Sequence, residues 1–146
     1  MRNKFVYICS PVRGSEQQFK KFMQVRGPKG TPTEEEEKAI RRFIRDENSQ
    51  RVKRICKAIV CTYPDIIPIA PHIYAPQFLS DEIPEERAAG IEMGLALLSK
   101  CSELWLFDSD GIGEGMAAEL RYAEKNEIKI EYKDEETILK KWSDVL

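Results

Sequence analysis

The chain has 146 residues, which falls within the size of a single domain and is enough to bury a hydrophobic core. Hydrophobic residues make up 42% and charged residues 33%, so the composition excludes disordered, collagen-like and coiled-coil chains. No apolar run approaches the ~20 residues of a membrane helix, and the first residues lack the pattern of a signal peptide. We therefore expect one cytoplasmic α/β domain that does not bind membranes.

The net charge of −2 conceals an uneven distribution along the chain. Residues 1–75 carry 15 Lys and Arg against 8 Asp and Glu, whereas residues 76–146 carry 8 against 17. Such an imbalance can steer an anionic small ligand or bring two subunits face to face, although solvated surface charges give the same pattern. Basic residues are not interleaved with aromatic residues along one face, so we expect no binding to nucleic-acid polymers.

The four cysteines indicate neither disulfides nor a zinc site. They form no CxxC pair, and the chain has only one histidine. We therefore expect buried, reduced thiols and no bound metal. The cysteines are Cys9, Cys56, Cys61 and Cys101.

The first predicted element is a strand over Lys4–Cys9, whose apolar, β-branched and aromatic residues suit a central strand buried on both faces. It is followed by a short loop that contains Ser10, Arg13 and Gly14. A hydroxyl, a guanidinium and a glycine at the carboxyl end of a strand can hold a phosphate or a carboxylate. A plain turn between a strand and a helix would have the same residues.

Residues 15–48 give the weakest pattern. Glycines and prolines at 27–32 predict a loop, and Thr33 followed by four glutamates predicts the N-terminus of a helix over Glu34–Asp46. A second helix is predicted over Ser49–Thr62. The first of these helices has an apolar stripe, which can pack on the sheet, on a neighbouring subunit or over a site.

A second strand is predicted over Ile66–Ala70, and Pro68 within it indicates an edge position because proline cannot donate to a strand ladder. His72 follows this strand, where it can contact a ligand or remain a surface residue. A helix is then predicted from Pro84 to about Cys101. Glu92 borders its apolar face and is a second-rank site candidate, with a solvated glutamate as the alternative.

The most informative stretch is Glu103–Ile130, which reads as strand, glycine-bearing loop, helix and strand. The helix is predicted from Glu114 to Asn126, and a closing helix from Asp134 to Trp142. Ligands of open α/β sheets bind at the carboxyl ends of the strands, and glycines there let backbone N–H groups approach an anion. Glu119 projects from the second turn beside the apolar stripe, so it is the leading candidate for chemistry.

These elements predict a flavodoxin-like, or Rossmann-like, three-layer α/β sandwich. Its parallel sheet would have four to five strands in the order 2-1-3-4(-5).

Four segments resemble nucleoside 2-deoxyribosyltransferases and their relatives. GEGMAAELRYA is similar to the signature around their nucleophilic glutamate, and VYICSPVRG to the first strand and phosphate loop of deoxynucleoside 5′-monophosphate N-glycosidases. IAPHIYAPQF and ERAAGIEMGLALLSKCSELWLF resemble even more closely the short, uncharacterised bacterial and phage members of this superfamily. The resemblance covers about residues 4–14 and 50–130. It implies one deoxyribosyltransferase-like domain with a helical insertion at about 15–48.

The resemblance also implies roles for particular residues. Glu119 takes the position of the nucleophile, although it follows Met116 by three residues where those transferases place Glu directly after Met. The partner acid has no unambiguous counterpart, so Asp108 and Glu92 both remain open. The residues expected to bind substrate or its phosphate are Ser10, Arg13, Gly14, His72, Asp110, Gly113, Gly115 and Met116.

The function implied is cleavage or transfer at the N-glycosidic bond of a nucleoside, a deoxynucleoside or a nucleoside 5′-monophosphate. This chemistry needs no metal and no organic cofactor. The resembling enzymes are homo-oligomers, so we expect a homo-oligomer here. The alternative is a non-catalytic protein that binds a nucleotide or a nucleotide-derived signal in the same cleft.

Overall fold

The strands form one parallel sheet in the computed structural model, which describes residues 1–145. The strand order is β2-β1-β3-β4, and every pairing is parallel. This confirms the predicted α/β class and strand order, with no fifth strand within residues 1–145. The strands are β1 (Lys4–Cys9), β2 (Ile66–Ile69), β3 (Glu103–Leu106) and β4 (Lys129–Tyr132).

Helices flank the sheet on both faces, as expected for a flavodoxin-like three-layer fold. A 3₁₀ turn over Ala75–Gln77 follows the third helix. The helices are α1 (Glu16–Val25), α2 (Glu34–Thr62), α3 (Pro71–Tyr74), α4 (Pro84–Leu98), α5 (Glu114–Lys125) and α6 (Glu135–Val145). No helix in this described range is long and apolar enough to cross a membrane.

The central strand β1 supplies both halves of the core, because successive side chains of a strand point to opposite faces. Val6 and Ile8 pack in the cluster that includes residues of α2 and α6. Tyr7 and Cys9 pack in the opposite cluster, which includes residues of α4 and α5. The hydroxyl of Tyr7 is therefore directed to the side of the sheet that carries Glu119.

Helix α1 was not predicted, although the sequence contains a signal for it. Ser15 and Gln18 form a capping box, in which the side-chain oxygen of each residue accepts a hydrogen bond from the backbone N–H of the other. Phe22 of this helix packs against Phe43 of α2 with ring centroids 5.5 Å apart. The helix is thus held by its cap and by contacts with α2.

Helix α2 runs without a break through the point where two separate helices were predicted, so that part of the prediction is wrong. Asn48, which lies between the two predicted helices, is buried inside α2. Its side chain exchanges two hydrogen bonds with Gln18, at 2.8 and 3.1 Å, and donates to the Val12 carbonyl at 3.4 Å. Because these bonds satisfy the amide away from its own backbone, Asn48 does not compete with the helical hydrogen bonds.

Two smaller expectations also need correction. The segment after β2 was predicted as loop, but Pro71 begins the short helix α3 at its first position, where proline is favoured. The cysteines are all free in the described structure, yet only Cys9 and Cys101 are buried, and Cys61 is exposed. The edge position of β2, predicted from Pro68, is confirmed.

Candidate functional site

Glu119 lies in the second turn of α5, on the face that packs against the sheet. The residue is half-buried, and its Oε2 is hidden from solvent with no hydrogen-bond partner among the described residues. The hydroxyl of Tyr7 lies at its carboxyl group and interacts with it. A carboxyl with an unpartnered oxygen beside a phenol is unusual, since buried polar groups are normally hydrogen-bonded.

Burial raises the pKa of Glu119 to about 7, and the hydrogen bond from Tyr7 opposes this rise. The cause is desolvation, which disfavours the carboxylate form. The same enclosure raises the pKa of Tyr7, first through burial and then through the nearby charge of Glu119, so the phenol remains protonated. Glu119 can therefore change its charge near neutral pH while Tyr7 stays a donor.

Gly94 of α4 lies beside the Tyr7 side chain. A Cβ atom added at Gly94 would lie 3.5 Å from the Tyr7 hydroxyl and 4.0 Å from Cβ of Pro71. Helix α4 thus contacts both β1 and α3 at Gly94. The same contacts bring the start of α3 to the wall of the Glu119 site.

Ser10 and His72 meet at the carboxyl ends of β1 and β2. The Ser10 hydroxyl lies 3.2 Å from Nε2 of His72, and Ser10 is buried. Burial lowers the pKa of His72 to about 4, so the imidazole is neutral at physiological pH. Ser10 and His72, both predicted to bind a ligand, therefore form an uncharged pair whose side chains contact each other.

The N-terminus of α5 begins at a glycine and has no side-chain cap. Gly113 is the N-cap residue, and nothing lies within 4 Å of a Cβ atom added there or at Gly115. Met116 is buried, and its carbonyl accepts a 4.0 Å contact from the Cys9 thiol. The predicted glycines thus face open space at a helix N-terminus, where backbone N–H groups lack partners from the helix itself.

Asp110 is held within the protein. Arg51 of α2 forms an ion pair with its carboxylate, and Gln18 Nε2 lies 3.5 Å from the same oxygen. The Ser15 hydroxyl donates to the Asp110 carbonyl at 2.6 Å. Asp110 therefore fastens the loop before α5 to α1 and α2.

Arg13 lies on a separate open cavity of about 890 Å³, between the loop after β1 and helices α2 and α4. Its guanidinium forms an ion pair with Asp81. Glu119 and Asp108 are not among the lining residues of this cavity within residues 1–145. The lining residues are Arg13, Lys38, Arg42, Asp81, Glu82, Pro84, Arg87, Ala88, Ile91 and Glu114.

Gly14 has a structural reason to be glycine. Its φ is +94°, and a Cβ atom at this position would lie 2.6 Å from Cγ2 of Ile44 in α2. A side chain is therefore excluded both by the backbone conformation and by the packed helix. The glycine lets the loop after β1 pass directly over α2.

The two candidates for a partner acid occupy different environments. Asp108 is half-buried and accepts a turn hydrogen bond from Gly111 N–H at its carbonyl, 2.9 Å. Glu92 is exposed on α4. In the part of the chain that the structure describes, neither forms a hydrogen bond with Glu119, whose pKa is raised by burial and not by a second carboxylate.

Sequence reasoning missed Tyr7 and most of the charged residues of the cavity. The alternation of the first strand placed Tyr7 and Cys9 on one face, and this could have identified Tyr7 as a site residue. Lys38 and Arg42 are four residues apart on a helix, which places them on one face. Asp81 and Arg87 carried no local signal.

The fold and these residues define a flavodoxin-like α/β protein with a buried carboxyl beside its central strand. The chain belongs to the family described as Domain of unknown function (DUF7768), whose model matches residues 42–133, more than half of the chain. The match begins within α2 and ends just after β4, so it includes Glu119 but not β1 or Arg13. No curated protein and no solved structure matches the chain significantly.

Proposed function

We propose that this protein cleaves or transfers the N-glycosidic bond of a nucleoside, a deoxynucleoside or a nucleoside 5′-monophosphate, with Glu119 as the nucleophile. The observation that carries the proposal is the buried Glu119 carboxyl, with a pKa raised to about 7 and an oxygen that has no hydrogen-bond partner among residues 1–145. Ionisable groups with such perturbed pKa values are concentrated at functional sites. The resemblance of the surrounding sequence to deoxyribosyltransferases supports the same assignment.

The chemistry follows from the position of the carboxylate. In its ionised form Glu119 attacks C1′ of the sugar, the C1′–N bond breaks, and the base leaves with a proton supplied by an acid or by water. Water or a second base then displaces Glu119 from C1′. Two displacements at the same carbon retain its configuration. The Tyr7 hydroxyl favours the ionised form, because its interaction with the carboxyl lowers the pKa of Glu119.

Other residues supply binding interactions. The neutral pair of Ser10 and His72 offers a hydroxyl and an imidazole at the ends of adjacent strands. The α5 N-terminus, which begins after Gly113, offers backbone N–H groups and a helix dipole that favours negative charge. These groups suit the hydroxyls of a sugar and the oxygens of a phosphate.

The test is incubation with deoxynucleosides and deoxynucleoside 5′-monophosphates, with and without a second free base, followed by chromatography for released or exchanged base. We expect Glu119→Gln to lower the rate by at least about 10³-fold, because the substitution removes the nucleophile. Glu124→Gln is the matched control, since Glu124 is exposed on the same helix. The proposal fails if no substrate releases base, or if both variants retain the wild-type rate.

A second candidate function is binding without turnover. It is favoured by the separation of the charged cavity that contains Arg13 from the buried carboxyl of Glu119. In this case calorimetry would detect nucleotide binding while chromatography shows no free base. Base release that depends on Glu119 would exclude this second candidate.

A further inference from the structure

We infer that the cavity between α2, α4 and the loop after β1 binds the phosphate groups of a ligand that carries at least two of them in a row, such as a nucleoside 5′-diphosphate or triphosphate. For the nucleoside part of the ligand the inference rests on the proposed function. The phosphate part stands on the cavity itself and is tested separately.

The cavity collects cations from three parts of the chain. Arg13 comes from the loop after β1, Lys38 and Arg42 from α2, and Arg87 from α4. Guanidinium groups bind phosphate oxygens through paired N–H donors, and lysine binds them as a point charge. The cavity volume of about 890 Å³ lies within the ~300–1,000 Å³ typical of small-molecule sites.

Two of these cations already hold an internal anion. Asp81 forms an ion pair with Arg13, and its other carboxylate oxygen lies 4.0 Å from Nε of Arg87. A ligand phosphate can replace the Asp81 carboxylate between the two guanidiniums, since both groups present oxygens to the same donors. This arrangement accounts for one phosphate group.

The two cations of α2, Lys38 and Arg42, can bind a second phosphate group. Arg42 forms no ion pair within residues 1–145, and Lys38 pairs only with the exposed Glu34, at 3.6 Å. Three carboxylates, those of Asp81, Glu82 and Glu114, line the cavity with four cations. Displacement of Asp81 would leave four cations facing two carboxylates. Because Arg13 and Arg87 would hold the first phosphate group, the pair on α2 is available for a second one.

The cavity and the Glu119 site are separate but share helices α4 and α5. Ile91 and Ala88 of α4 provide an apolar wall, and Gly94 on the next turn packs against Tyr7. Glu114 lines the cavity at the start of α5, the helix that carries Glu119 in its second turn. A nucleotide can thus have its phosphates among the cations and its sugar towards Glu119.

The experiment is titration calorimetry in EDTA with dAMP, dADP, dATP and inorganic tripolyphosphate. We expect dATP to bind at least about 10-fold more tightly than dAMP, because its additional phosphate groups can form further charge-assisted hydrogen bonds with the cations of the cavity. The double variant Lys38→Gln with Arg42→Gln should lose most of this preference and bind tripolyphosphate about 10-fold more weakly. Its control is Lys20→Gln with Lys21→Gln, which changes the charge equally at exposed positions outside the cavity.

Asp81→Asn provides a test of opposite sign. Because it removes the competing carboxylate, it should raise the affinity for tripolyphosphate severalfold, and an unchanged or lower affinity would contradict the displacement of Asp81. Equal binding of dAMP and dATP, or equal effects of the two double variants, would overturn the inference even if base is released. Conversely, the phosphate preference without any base release would overturn the proposed function and leave the inference standing.

Discussion

Two glutamates on consecutive elements of this protein have opposite environments. The Glu119 carboxyl is enclosed beside Tyr7, and burial raises its pKa to about 7. Glu131 lies on the edge strand β4, where Nζ of Lys129 and Nζ of Lys133 are 2.7 and 3.1 Å from its oxygens. Hydrogen bonds from these lysines lower the pKa of Glu131 to about 2. The fold thus places cations beside the carboxylate of half-buried Glu131 and none beside the enclosed carboxyl of Glu119 within residues 1–145.

The two environments distinguish an ion pair on the protein surface, at Glu131, from a candidate functional site, at Glu119. Surface ion pairs such as those of half-buried Glu131 contribute little to stability, because water and salt screen them. They are also useful at a sheet edge, where charged side chains discourage pairing with another chain. A buried carboxyl without a cation costs stability, so its presence is better explained by function than by folding.

The largest effect expected from this contrast is on stability as a function of pH. The folded-state pKa of Glu119 lies above its ordinary value of 4.5, so between pH 4.5 and about 7 the folded protein retains a proton that the unfolded chain has lost. This contribution to stability is complete below pH 4.5 and is lost as the pH rises through 7. Its size is at most about 3 kcal/mol.

Glu119→Gln should remove this contribution to the pH dependence. We expect the variant to match the wild type near pH 4 and to exceed it at pH 8, when the free energy of unfolding is measured by urea denaturation across this range. Parallel curves for the two proteins would show that the Glu119 carboxylate carries no burial cost.

A smaller effect is expected from Tyr7→Phe. The Tyr7 hydrogen bond lowers the pKa of Glu119, so its loss should move the ionisation to higher pH by up to about one unit. The ascending limb of the rate of base release against pH reports this directly. A lower rate with an unmoved limb would mean that Tyr7 only fills space.

The smallest effect is expected at the other glutamate. Glu131→Gln should change the melting temperature by less than about 3 °C, and 0.5 M NaCl should reduce the difference further. The rate of base release should stay at the wild-type value. A large loss of stability would mean that the lysine pairs on β4 hold the edge of the sheet in place.

Much of the fold could be predicted from sequence because the decisive signals are local. The apolar strands β1 and β3 and the proline in β2 were sufficient for the order of the sheet. The position of Glu119 beside an apolar stripe indicated a carboxyl near the core. The unbroken course of α2 could not be predicted, because Asn48 is satisfied by Gln18, 30 residues away in the chain.

The rest of the candidate site depends on contacts between distant segments. Tyr7 and Glu119 meet only after β1 and α5 have packed on each other. Asp110 looked like a ligand-binding residue of a polar loop, but the structure pairs it with Arg51 of α2. The sequence identifies Arg13 as a binding residue. It does not predict the cavity around Arg13, because no sequence pattern shows that α2 and α4 lie on either side of it.

The continuity of α2 has a consequence for shortened versions of this protein. Its 29 residues span about 43 Å, with the cavity lysine and arginine in one half and core residues such as Val52 and Ile55 in the other. Residues 15–48 therefore cannot be deleted as an independent unit, because the deletion would cut α2 after Asn48. The new end would leave four backbone N–H groups without acceptors and would lack the capping box of Thr33 and Glu36. A viable shorter chain needs a newly designed helix start.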